Sequence, residues 1–490
     1  MIRQSFWVYL SGNVSSAFGL VFWITVSLFV STSVVGSIAA VLAFQSLLTS
    51  IVGVGFSAGL QRLLSQSRGG GDSAQLHWRF MTSLKIQFAL GLPVAGFILI
   101  LSAFGITFLS LSATETVYAV VLYLLTFWPP IYVALYRSFL KTEIPALAQV
   151  ISSVLKPLVC ILLLFLGFGF DGTMFAIIIT TVTSDTILAT FSSSLIRAKE
   201  SQEWGLRPFL VELLKAGFPS WIPSTLTVLA ESIGIFLIYG IVSQSQTGLY
   251  MIAFAISTLI LSLPASINGM MFPLLSSMTQ SREEAISRAM KLASILTAPS
   301  AITFALYSSV ILSLFGPAYG LASPILRVLV LAALFTPIVS AYVSYAYALG
   351  IYSHVLLIGV VVNLGRYLLY VPLVLMFDAY GAAVAYAFGA VIGTLVMLTL
   401  YRKTEYKANW EQYALIVVVP IPLALISFYL NLHWILGAFL IEMGSFALYG
   451  RLGILTKVDV RDVLLGFFDP RRIEEVRKRL GRLVNFILPK

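Results

Sequence analysis

From Gln4 to Gln61 the chain runs for 58 residues without an Asp, Glu, Lys, Arg or His, and Ser232–Ser281 does so again over 50. Such a stretch has no charged face to offer water. The first run is long enough for two helices of about 20 residues, each crossing a hydrocarbon layer of about 30 Å, with a turn between them. In that layer every backbone N–H and C=O must be satisfied within the protein, which leaves helices and closed barrels. The apolar residues run continuously instead of at every second position, so the barrel is excluded. Composition extends the argument to all 490 residues: 59% are hydrophobic and 10% charged, against about 25% charged in soluble domains. The fold class is all-α integral membrane.

Turn residues and charges divide the chain into fourteen expected spans. They lie near 6–31, 34–60, 82–109, 116–137, 146–168, 172–196, 214–242, 248–277, 291–315, 324–349, 353–377, 380–401, 412–430 and 433–450. Arg3 is followed by about 26 apolar residues without a small-x-small cleavage site, so the first helix is expected to stay rather than leave as a signal peptide. The single cysteine, Cys160, falls mid-span, which excludes a disulfide within one chain and reads as a small buried side chain.

Orientation follows the positive charge. With the N-terminus in the cytoplasm, 27 of the 30 Lys and Arg residues fall on the inner face, while the outer turns carry Glu115, Asp171 and Asp378. Both termini are then cytoplasmic, in a multi-pass protein of the cell membrane. The net charge of +10 is a topology signal and not a nucleic-acid signature. Residues 451–490 form a basic tail, in which Ile473, Val476, Leu480, Leu483, Val484 and Ile487 recur at helical spacing. It reads as an amphipathic helix on the anionic inner leaflet, or packed on the protein's own inner loops.

The two halves repeat. "LGFGFDGTMFAIIITT" (166–181) aligns with "LMFDAYGAAVAYAFGA" (375–390), pairing Gly172 with Gly381. "SAFGITFLSLS" (102–112) aligns with "SLFGPAYGLAS" (313–323), pairing Gly105 with Gly316. "FWPPIYVA" pairs Pro129 with Pro337, and "VVGSIAAVLAFQSLL" pairs Gly36 with Gly248. Four segments at one offset of about 210 residues make a duplication of six helices. Because six is even, the copies are parallel, related by an axis along the membrane normal. The expected layout is an N-lobe over 1–200, a C-lobe over 201–405, two added helices over 406–450, and the tail.

This 6 + 6 + 2 pattern resembles the polysaccharide (Wzx-type, O-antigen or oligosaccharide) flippases of the multidrug/oligosaccharidyl-lipid/polysaccharide exporter superfamily. The resemblance rests on "GPAYGLASPILRVLVLAALF" and "NLGRYLLYVPLVLMFDAYGAAVAYAFG" and covers about residues 1–402. It implies two six-helix lobes that open alternately to either side, and a lipid-linked oligosaccharide or polysaccharide precursor as the substrate. The alternative of the same fold is a cation-coupled multidrug or metabolite exporter.

Two cations lie inside spans. Lys156 sits in "SSVLKPLVCILLLFLGFGF", and the repeat offset carries it to Gly365–Arg366 in the equivalent eleventh span. Each costs about 2.5–3.5 kcal/mol at a helix centre, so both are expected to face the bundle interior. Three arrangements compensate them. They line a cavity for the anionic head group, they form static pairs, Lys156 with Asp185 and Arg366 with Glu231, or they snorkel to an interface. Asn13, Gln45 and Asn268 are candidates for hydrogen bonds to sugar hydroxyls. Glu231 lies in the seventh span, where the resemblance implies an acid that couples transport to protons or sodium ions; Asp185 is the second candidate. Arg62, Arg137 and Lys141 read as inner-face anchors rather than ligands.

No catalytic residue, metal site or cofactor is expected. The chain has three His, short outer turns and no paired carboxylates of the kind a membrane glycosyltransferase or polymerase needs. It also lacks a nucleotide-binding P-loop. The expectation is a transporter and not an enzyme, acting as a monomer among membrane lipids.

Overall fold

A computed structural model describes residues 2–193, 195–196, 205–277, 282–401, 409–457 and 459; the amphipathic stripe expected at 473–487 lies outside them. The described residues are helical throughout their regular structure. Twelve helices among them are long and apolar enough to cross a membrane, which makes this a multi-pass membrane protein. The difference from the fourteen expected lies in two places. One apolar stretch, Tyr352–Leu400, runs for 49 residues, far longer than one crossing needs, and its helical backbone breaks at Phe377 and Asp378. The other is Trp434–Arg451, which carries Glu442 and Arg451 within 18 residues.

The chain divides into two compact units, Met1–Ala255 with Gly359–Ala385, and Ile256–Ile358 with Tyr386–Lys490. The first begins with α1 (Ile2–Phe29), α2 (Thr32–Val52) and α3 (Phe56–Gly69). The sequence reading carried the second span to residue 60. Instead the helix stops at Val52, because Val54 and Gly55 turn left-handed, and α3 follows as a separate amphipathic helix. Its Leu60, Leu63 and Leu64 are buried with Leu76, Phe80, Ile131 and Leu213, while Arg62 and Arg68 stay exposed.

The unit continues through α4 (Ser73–Ala103), α5 (Ala113–Thr126), α6 (Pro129–Ser138), α7 (Glu143–Phe165), α8 (Gly169–Ser192) and α9 (Leu206–Leu237). Ser112 and Glu115 close a reciprocal cap at the start of α5, which satisfies two otherwise free N–H groups. The fourth span is broken between α5 and α6 because Pro129 and Pro130 have no N–H to give. The Ile131 N–H turns to Trp128 O, and Gln87 on α4 donates to Phe127 O at 3.0 Å.

Next come α10 (Gln244–Ser277), α11 (Arg282–Leu306), α12 (Ser308–Ser313), α13 (Ser323–Ala332) and α14 (Thr336–Ala348). Pro337 interrupts the tenth span between α13 and α14, at the position aligned with Pro129. Here the freed carbonyl, Leu334 O, accepts from Tyr413 Oη. Tyr413 belongs to α16 (Trp410–Val418), which follows α15 (Tyr352–Tyr401) and precedes α17 (Pro420–Tyr429) and α18 (Trp434–Arg451). All three late helices pack on α11. The hydroxyls of Tyr307 and Ser427 meet at 2.6 Å, in a space that Gly437 leaves by lacking a Cβ.

Other aligned positions share a positive φ. Gly105 and Gly316 both have positive φ, 77° and 122°. Gly169 and Asp378, which the same alignment pairs, have φ of 50° and 51°. The Gly359–Ala385 part of α15 belongs to the first unit because it leans on α9. Tyr367 Oη donates to Leu226 O at 2.6 Å, and Gly359 lies against Pro223.

Candidate functional site

The break between α5 and α6 leaves a hollow in the first unit. Pro129 and Pro130 line it with Thr126, and the ends of α1, α7 and α8 complete the wall with Ser11, Gln149, Ser184 and Asp185. The cavity has a volume of about 580 Å³, within the range of about 300–1,000 Å³ typical of small-molecule sites. Arg137, in the last turn of α6, also lines it. All these groups lie toward the end of the helices that the charge distribution assigns to the cytoplasm.

Asp185 is 7% exposed, and its Oδ2 has no hydrogen-bond partner among the described residues. A buried carboxylate oxygen without a donor is expensive unless a ligand, a cation or water supplies one. The cavity thus presents a hydrogen-bond acceptor on one wall, a guanidinium on another, and hydroxyls from Ser11, Ser57, Thr126 and Ser184. That combination suits a polar molecule carrying both hydroxyl groups and an anion.

The residues singled out from sequence fall into separate places. Gln45 stands behind the cavity wall, where its Nε2 donates to Thr126 Oγ1 at 2.7 Å and to Thr49 Oγ1 at 3.1 Å. Asn13 is half-buried on α1, two residues beyond the lining Ser11. Asn268 lies on α10, and its side chain is outside the described set. Lys156 does not line the cavity and forms no ion pair with Asp185; its Nζ rests 5.7 Å from the ring centroid of Phe22.

Arg366 is buried on α15. Its Nη1 donates to Asn363 Oδ1 at 3.3 Å, and Asn363 Nδ2 donates in turn to Gly359 O and Thr227 Oγ1. Glu231 on α9 is within electrostatic reach of the Arg366 guanidinium. Of the two static pairs weighed from sequence, Lys156 and Asp185 do not meet as an ion pair, and Arg366 acts on Glu231 through its charge. Arg68 and Arg79 tie helix ends together. Arg68 Nη1 donates to Ser138 O at 2.9 Å, and Arg79 pairs with Glu212 at 3.6 Å.

Sequence reasoning placed Arg137 among the anchors and passed over Ser11, Thr126 and Gln149. The signal that could have found them is the double proline, since a broken span leaves room beside it.

Comparison with known proteins adds the family. The polysaccharide biosynthesis protein family matches residues 28–324, more than half of the chain. A curated relative, "Probable flippase AglR" of Haloferax volcanii, is 24% identical over 281 residues, 54% of this chain and 56% of that protein. The match therefore spans just over half the length of that relative. Among solved structures, an inward closed lipid II flippase MurJ superposes with a TM-score of 0.71 at 16% identity, covering 93% of this chain and all of that one. An inward-facing multidrug resistance MATE family transporter gives 0.63 at 16% identity, covering 79% and 94%. At these identities the structures speak to the fold. The chain has the fold of the superfamily to which such transporters belong, and this protein is a member of the polysaccharide biosynthesis protein family.

Proposed function

We propose that this protein moves a lipid-linked oligosaccharide or polysaccharide precursor across the cell membrane by alternating access, with both termini in the cytoplasm. It is a transporter without enzymatic activity, acting as a monomer. The observation that carries this reading is the polar cavity in a membrane-spanning bundle of the polysaccharide biosynthesis family. Arg137 meets the phosphate of the head group, and Asp185 accepts from sugar hydroxyls as the head group enters from the cytoplasmic side. The lipid tail stays in the bilayer, so only the head group needs the polar path.

Farther along that path, Lys156 and Arg366 serve the same anion from the two repeated lobes. Asn13, Gln45 and Asn268 contribute amide groups, Gln45 by bracing Thr126. Glu231, beside Arg366, and Asp185 are the acids through which protons or sodium ions couple to the cycle. The likeness to multidrug transporters supports a second reading, a cation-coupled exporter of free small molecules.

The test is flipping of a lipid-linked oligosaccharide in proteoliposomes, with and without an imposed ion gradient. Arg137→Gln and Asp185→Asn are each expected to lower the rate about tenfold or more, the equivalent of about 1.4 kcal/mol. Wild-type rates in both variants would overturn the cavity's role. Efflux of cationic drugs without any flipping would favour the second reading.

A further inference from the structure

At the opposite end of the first unit, a closed hydrogen-bond network joins residues of the two repeats. Tyr239 lies in a π-helical turn, Ile238–Val242, at the end of α9. Its hydroxyl donates to Glu115 Oε1 at 2.7 Å, receives Gln244 Nε2 at 3.1 Å, and lies 3.2 Å from Ser37 Oγ. One donated and two accepted bonds fill the capacity of a phenol. The second carboxylate oxygen of Glu115 takes the N–H and hydroxyl of Ser112 at 2.8 and 2.9 Å. Glu115, Ser37 and Tyr239 are 7%, 8% and 6% exposed.

Beside this network α2 and α10 touch through the glycines that the repeat pairs. A Cβ on Gly36 would lie 1.9 Å from Gln244 O, and one on Gly248 would lie 2.0 Å from Thr32 O. The contact is reciprocal, each glycine meeting the carbonyl four residues before the other, as a two-fold relation between the halves requires. Thr32 Oγ1 and Ser245 Oγ meet at 2.7 Å on the same seam.

We propose that Tyr239 and Glu115 form a latch that holds the outer end closed while the inner cavity is open, and that its release is a step of the transport cycle. This rests on the alternating-access reading above. Three features set the network apart from ordinary packing. It joins residues of the first repeat (Ser37, Glu115) to residues of the second (Tyr239, Gln244). It lies at the end opposite the cavity. It closes over two backbones in glycine contact, which part without disengaging large side chains.

The experiment uses a Cys160→Ser background, which removes the native thiol. In T32C on that background, Tyr239→Phe and Glu115→Gln should each raise the rate of labelling by a membrane-impermeant maleimide about fivefold or more. That rise reports a larger open population. In T32C/S245C, copper–phenanthroline should crosslink the seam, and the crosslink should stop flipping until reductant restores it. Unchanged labelling in both latch variants would overturn the proposal, as would a seam that does not crosslink or a crosslinked protein that flips at full rate. Labelling needs no substrate, so absence of flipping in the uncrosslinked protein would count against the transport reading and leave the latch to be judged by its accessibility.

Discussion

Lys156 and Arg366 occupy aligned positions but are compensated by different means. The ammonium of Lys156 sits over the Phe22 ring, an attraction of about 0.5–2 kcal/mol, which is less than the insertion cost of about 2.5–3.5 kcal/mol. Lys156→Met is therefore expected to match or exceed the wild type in thermal stability in detergent. Arg366→Met removes the buried donor to Asn363 Oδ1 and the charge that acts on Glu231. It should destabilise by about 1–3 kcal/mol, as when a buried hydrogen-bond partner is left unsatisfied. Equal melting temperatures for the two variants would refute the distinction. That these side chains need compensation was legible in the sequence, since the transfer energy of a charge depends only on its being inside a span. The compensating partner was not, because it depends on the rotation of α7 against α1 and of α15 against α9.

Among the elements, the broken spans are the informative ones. Both breaks were foreshadowed by aligned prolines, yet their freed carbonyls are satisfied by unrelated residues, Gln87 from α4 in one case and Tyr413 from α16 in the other. Gln87→Leu and Tyr413→Phe are each expected to lower stability by about 1–3 kcal/mol, the cost of an unsatisfied buried carbonyl. Chemical denaturation in detergent measures it, and no change in either would mean that water reaches the break.

The segment after α18 is tied to α11 by Asp459, which is 2% exposed and accepts from Lys291 Nζ at 2.6 Å and from Thr456. Burial pushes this carboxyl up, but the bonds from Lys291 and Thr456 and the Lys291 charge outweigh it and leave it below the ordinary carboxylate value. A depressed carboxyl stabilises the fold above its unfolded value of about 3.9, and that contribution is lost as the pH falls through the folded value. Melting temperature should therefore drop more steeply below about pH 4 in the wild type than in Asp459→Asn. Parallel profiles would show that the pair adds nothing.

For the molecule as a whole, orientation is the property that sequence addresses most directly. On the Cys160→Ser background, an impermeant maleimide added to intact cells is expected to label Leu321→Cys in an outer turn and not Lys141→Cys in an inner one. Both positions are exposed, so the reverse result would invert the topology. The membrane class and the all-helical fold could be read from the sequence by itself, and the repeat and the orientation are expectations drawn from it. Each depends on composition summed along the chain or on similarity between its own segments: hydrocarbon transfer, the placement of Lys and Arg, and an offset of about 210 residues. What only the tertiary structure decided is which residues meet. Asp185 shares a cavity with Arg137 rather than a salt bridge with Lys156, and Glu115, which reads as one outer-loop acid among several, accepts from Tyr239 across the repeat. The physical reason is that such meetings depend on how each helix is rotated and how closely it approaches its neighbour. Those are set by contacts such as Gly36 against Gly248, between residues more than two hundred positions apart, which no local pattern encodes.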